Sequence, residues 1–121
     1  MMRRNLLTNY SHGRLGEQSA VVYLKSLGFC IVEKNYKTPV CEIDIVAKKR
    51  GVIYFIEVKY RANGWQGDGI DYITPKKYRQ MLFSASVWLY DNHADGDYRI
   101  SAIEVSGDDY LVTNFFDELD Y

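Results

Sequence analysis

A chain of 121 residues with 47% hydrophobic and 15% aromatic content can bury one real core and is too short for two, so a single domain over residues 1–121 is expected. No segment approaches the roughly 20 apolar residues of a membrane span, and the first seven residues lack the apolar run of a signal peptide, which predicts a cytoplasmic protein with no membrane partner. The net charge of −1 hides a division: residues 1–79 hold 14 Lys/Arg against 7 Asp/Glu and residues 80–121 hold 1 against 9, so the first part offers a basic surface to nucleic acid unless folding interleaves the two.

Residues 15–27 read as a helix, with Ala20, Val21, Leu24 and Leu27 at helical spacing, Gly28 to stop it, and Asn9 or Ser11 near its start. Glu17 falls in line with the apolar stripe. It is either a first-turn acid offsetting the helix dipole or a member of a site. Gly13 and Gly16 beside it suggest close approach of another backbone. Residues 29–37 predict a first strand. Cys30 and Cys41 lie in apolar strand-like runs and are expected to be buried free thiols, while His12 and His93 have no partner at zinc spacing.

Two further strand-like runs, residues 40–47 and 52–61, are separated only by a short basic turn. A two-residue turn at Arg50-Gly51 pairs residues whose numbers sum to 101, which sets Asp44 opposite Glu57 and Glu42 opposite Lys59. Alternation groups Glu42 with Asp44 along one strand and Glu57 with Lys59 and Arg61 along the other, and the pairing sets both groups on one face of the hairpin. Facing carboxylates repel unless a cation or a proton lies between them, so the pattern suggests a divalent metal site. The plain alternative is a solvated hairpin face carrying a Glu42 to Lys59 ion pair.

A glycine-rich stretch follows, bearing Trp65 and Tyr72, which either stack on bases or fold under the loop as a small satellite core. Thr74-Pro75 opens a second helix whose stripe is Tyr78, Met81, Leu82, Ala85, Trp88 and Leu89. Lys76, Lys77 and Arg79 sit in its first turn or so, where the dipole disfavours cations; they form a phosphate cradle or are simply solvated. Residues 97–105 and 109–116 predict two last strands, and the acidic residues 117–121 a frayed tail.

Gly16-Glu17 on a helix, then Asn35, Glu42-Ile43-Asp44, Glu57-Val58-Lys59 followed by Arg61, and Thr74-Pro75-Lys76-Lys77 together resemble the bacterial YraN-type family over roughly residues 13–90. That family, largely uncharacterised, looks like a distant relative of archaeal Holliday junction resolvases within the PD-(D/E)xK nuclease superfamily. The resemblance implies an α/β fold with a restriction-endonuclease-like core, a mixed β-sheet with an antiparallel three-strand meander flanked by helices. It implies Asp44 and Glu57 as metal-binding acids, Lys59 as the catalytic lysine and Glu17 as an additional helix acid. Hard carboxylate oxygens suit Mg2+ or Mn2+ as the cofactor, and DNA, branched DNA by analogy with the family, is the expected substrate, with Arg61, Lys76, Lys77 and Arg79 on its phosphates; a homodimer would let two such sites cut opposing strands. Cys41 stands where the family usually has Gly, and Ser101 where it usually has an acid. The expectation is a structure-selective metal-dependent endonuclease; a nucleic-acid-binding module without cleavage and an interaction protein remain as alternatives.

Overall fold

The computed structural model describes residues 8–62 and 72–121. Trp65 and most of the glycine-rich stretch lie outside them. The order of elements is α1 (Asn9–Ser26), β1 (Cys30–Lys37), β2 (Glu42–Lys49), β3 (Val52–Arg61), α2 (Pro75–Asp91), β4 (Tyr98–Ser106) and β5 (Leu111–Phe116). The strands form one mixed sheet in sequential order. β1, β2 and β3 make an antiparallel meander, α2 carries the chain over so that β4 runs parallel to β3, and β5 returns antiparallel. The sheet lies between two apolar layers. One gathers Ala20 and Leu24 of α1 over Ile45, Ala47, Ile56, Ile103 and Val105; the other gathers Ala85 and Trp88 of α2 over Val46, Ile53, Phe55 and Ile100. The expected α/β class is therefore present. Among the described residues no helix is long and apolar enough to cross a membrane.

The hairpin turn follows the sequence reading. Arg50 and Gly51 both have left-handed backbones, φ 52° and 80°, the geometry of the tight turn whose twist matches its strands. Pairing runs from Lys49–Val52 to Ile45–Ile56, all summing to 101. It then stops, so Glu42 and Lys59 are not ladder partners.

Alternation also fails at one point. Ile45 and Ala47 pack under α1, yet Ile43 packs with the α2 layer. In the neighbouring strand, Lys34 pairs with Ile45 and Tyr36 with Ile43, which leaves Asn35 beside Asp44. Asn35 has φ 56°, a left-handed residue inside a strand. Such a residue rotates the chain about its axis, and both strands exchange faces at the Asn35 and Asp44 position. The expected common face for Glu42 and Asp44 is therefore interrupted.

Three other expectations change. Helix α1 begins six residues before the expected start, capped by Thr8, whose side-chain oxygen accepts from the Ser11 N–H at 3.1 Å. Glu17 is thus mid-helix, and the first turn holds no acid, so the dipole explanation for Glu17 falls away. The cysteines are free, but Cys30 is exposed and Cys41 half-buried, because edge strand β1 turns alternate residues outward and Cys41 precedes β2. The acidic C-terminus is not frayed. Leu119 covers the α2-side core, its N–H donating to the Ile100 carbonyl at 2.7 Å, and the Tyr121 hydroxyl donates to the Ile73 carbonyl at 2.6 Å.

Candidate metal centre and nucleic-acid groove

Where the β2–β3 ladder ends, the strands fork. The Asp44 carboxylate occupies the fork, its Oδ2 accepting the Val58 backbone N–H at 2.8 Å in place of a ladder bond. Burial pushes the Asp44 carboxyl up to about 7; Glu57, Glu17 and Glu42 push in the same direction, and only the Val58 N–H opposes them. Glu17 rises above its ordinary value for the same reason, burial first, with Glu57 and Glu42 adding to it and a hydrogen bond from Asn35 and the charge of Arg14 holding it back.

These acids arrive from both sides of the sheet. Glu17 and Asp44 line a cleft of about 440 Å³ on the α1 side, together with Gly13, Arg14 and Asn35. Glu57 lines a larger groove of about 650 Å³ on the α2 side. Glu42 borders both. Local structure explains the access on the α1 side. A Cβ on Gly16 would lie 3.7 Å from the Tyr60 Cβ, ordinary contact distance, so α1 packs on the sheet there without depending on the glycine, while Gly13 leaves open space next to Glu17.

The cations take distinct places. Lys77, in the first turn of α2, pairs with Glu57 at 3.3 Å. Lys59 is exposed, its ammonium 5.9 Å from the centre of the Tyr72 ring, and the Arg61 guanidinium carbon lies 5.5 Å from the same ring. Arg61 is bound to the buried Glu104 by a 2.5 Å ion pair, and its side chain is 11% exposed, so it joins β3 to β4 and presents little charge to solvent. Lys76 and Arg79 are exposed beside Lys77 along the α2-side groove. Helix α2 starts as the sequence predicts, the Thr74 hydroxyl accepting from the Lys77 N–H at 3.1 Å.

Tyr72 closes the other side. Its hydroxyl is buried with no hydrogen-bond partner among the described residues, and burial raises its pKa, with Glu57 next in effect. The phenol therefore keeps its proton, with Glu57, Glu104 and Asp44 near enough to act on it. Sequence reasoning assigned no part to Glu104, although a lone acid in the apolar run Ile103-Glu104-Val105 is the same signal that marks Glu57. Asn35 was visible only as a motif residue. Ser101 is fully buried, its hydroxyl donating to the Asp117 carbonyl at 2.7 Å, so that position serves to hold the C-terminal segment.

Among the described residues no three His, Cys, Asp or Glu side chains are arranged to hold a metal ion as they stand. The chemistry of the donors nevertheless fits a hard divalent cation. They are all carboxylate oxygens, and the half-neutralised Asp44 lies among acids that a cation would relieve.

The model of the family described as Uncharacterised protein family UPF0102 matches residues 16–105. A UPF0102 protein of Desulfosudis oleivorans is 40% identical over 110 residues, covering 88% of this chain and 89% of the relative. One from Rhodopseudomonas palustris is 40% identical over 96 residues, 78% of this chain and 72% of its own, and one from Helicobacter pylori 41% over 93, 77% and 79%. The matched span begins at Gly16 and contains Glu17, Asp44, Glu57 and Lys59.

Proposed function

The chain belongs to UPF0102, an uncharacterised family, and we propose that its strand fork is the centre of a Mg2+- or Mn2+-dependent DNA endonuclease acting in the cytoplasm. The observation that carries this reading is Asp44. A carboxyl held in a fork, pushed up to about 7 by burial and then by Glu57, is relieved by one backbone N–H and by no cation of its own, although Lys77 and Arg14 act on its neighbours. Structural acids are normally relieved by a neighbour.

Asp44 and Glu57 would hold the ion, with Glu17 reaching it from the α1 side. A bound divalent cation supplies Lewis-acid polarisation of a phosphate oxygen and acidifies a water. The remaining work belongs to the chain itself. Lys59, on the same β3 face as Glu57, places its ammonium where charge grows on the phosphate, and Tyr72 packs against it and keeps it oriented. Lys76 and Arg79 bind flanking phosphates. Lys77 is shared: it neutralises Glu57 in the free protein and turns to phosphate when a cation takes over that carboxylate. Among the described residues no helix resembles a base-reading one, so selectivity is for shape, with branched DNA the natural candidate. Two copies would cut opposing strands.

A cleavage assay tests this: linear duplex, single-stranded and four-way-junction DNA, with and without magnesium or manganese, comparing the unaltered protein with Asp44→Asn and Glu57→Gln. Metal-dependent cutting that disappears in both supports the proposal; cutting that survives both sinks it. A second reading, a nucleic-acid-binding module of the same fold without cleavage, draws on the Lys77 to Glu57 pair, which already satisfies one of the acids. Metal-independent binding with no cutting would favour it.

A further inference from the structure

The α2-side groove presents an exposed aromatic side chain, Phe83, that metal chemistry does not use. Its walls are formed by the β2 approach, with Val40 and Glu42, and by one line of α2, with Lys76, Arg79 and Phe83. Those three helical residues follow the i, i+3 and i+7 spacing that sets side chains in a row. Phe83 is 52% exposed and Val40 68%, in a groove whose other members include three cations and Glu57. At about 650 Å³ its volume falls within the roughly 300–1,000 Å³ usual for small-molecule-sized sites.

We propose that this groove binds an unpaired nucleotide next to the scissile phosphate, with Phe83 as the surface on which its base stacks. The inference rests on the nucleic-acid reading above and narrows its substrate to strands with an unpaired segment beside the cut. Charge selects the ligand class. Lys76, Lys77 and Arg79 favour a polyanion, whereas an apolar peptide laid over Phe83 and Val40 would desolvate those cations without pairing them. Flatness selects the ligand part. Bases stack on aromatic side chains whatever their sequence, but in an intact duplex their faces are already covered. A duplex can therefore meet the cations and leave Phe83 idle, while a flap, gap or junction arm can engage both.

The test is anisotropy of labelled oligonucleotides with the full chain at low salt in EDTA, which separates binding from cutting. A single strand and a blunt duplex of equal length are compared. Phe83→Ala should weaken the single strand about tenfold and the duplex by less than about twofold, and Phe83→Trp should restore single-strand binding. Tyr90, 82% exposed on the same helix but outside the groove lining, is the control, and Tyr90→Ala should change neither. Far-UV circular dichroism checks that each variant is folded. Equal losses on the two ligands, no loss from Phe83→Ala, or a similar loss from Tyr90→Ala would overturn the stacking site while leaving the nuclease reading intact. An unaltered protein that binds neither ligand would overturn the stacking site as well, and the metal-dependent cleavage assay then decides the nuclease reading by itself.

Discussion

Glu104 and Asp44 are carboxylates withdrawn from solvent in the same sheet, and the fold treats them in opposite ways. Glu104 on β4 is 5% exposed and fully answered: Arg61 pairs with one oxygen, and Thr113 and Asn114 donate to the other at 3.1 and 2.7 Å. Asp44 on β2 receives one backbone N–H and is otherwise pressed by other acids. This chain can therefore neutralise a buried acid with its own side chains, and does so two ladder positions from Glu57, where Glu104 pairs with Lys59. At Asp44 it does not. The difference separates an acid that the chain neutralises itself from one that it leaves unrelieved, which is the property the proposed metal site draws on.

Substitution should separate them further. Asp44→Asn is expected to lower metal-dependent cleavage by roughly a thousandfold or more while the protein stays folded, since the amide cannot replace a metal-binding carboxylate; plasmid nicking under single-turnover conditions measures it. Glu104→Gln is expected to do the reverse. It leaves the Arg61 guanidinium, 11% exposed, without its counter-charge and should destabilise the protein by about 3 kcal/mol in urea titrations. Manganese binding by whatever fraction remains folded should be unchanged. If Glu104→Gln abolished metal binding in folded protein, or Asp44→Asn unfolded it, the contrast between the two acids would be false.

The pH dependence sharpens the same contrast. Asp44 titrates near its ordinary 3.8 when unfolded and at about 7 when folded, so between those values the folded state holds a proton that the unfolded state has released. Stability from this group is therefore full below about pH 4 and declines as pH rises to about 7. Counting the whole shift gives an upper bound of about 4 kcal/mol, and sharing of the proton among coupled acids reduces the expected effect to about 1–2 kcal/mol. Asp44→Asn should accordingly be more stable than the unaltered protein at pH 8 and no more stable at pH 4. Magnesium should then raise the Tm of the unaltered protein and not that of the variant. A pH-independent stability difference would sink the argument.

Much of this was legible in the sequence because the signals were local. Arg50-Gly51 set the turn and so the register sum; Thr74-Pro75 set the start of α2; acids in apolar runs marked Asp44 and Glu57. What was not legible came from chain rotation and from distant contacts. The exchange of faces at Asp44 originates in Asn35 on the neighbouring strand, whose left-handed backbone no periodicity announces. Glu17 looked like a first-turn acid because the helical spacing was read only from residue 15, yet Thr8 supplies the cap. Arg61 looked like an open cation because its partner, Glu104, is 43 residues away in sequence and meets it only through the parallel pairing of β3 and β4. The acidic tail looked frayed because its charges outnumber Leu119, the side chain that the segment buries in the core.

Asn35 permits the finest test, because it performs two tasks that substitution can divide. Its backbone, at φ 56°, turns the strand, and its side chain donates to Glu17. Asn35→Gly keeps the first and removes the second: glycine adopts this backbone freely, so stability should change by less than about 0.5 kcal/mol. Without the donor, the Glu17 carboxyl should rise further than burial has already driven it, a shift that carbon-13 NMR of the labelled side chain reads directly. Asn35→Ala removes both and should add about 1 kcal/mol of backbone strain. An unmoved Glu17 titration in Asn35→Gly would mean that Asn35 only bends the strand, and that the acid reaching the fork from α1 is positioned by burial alone.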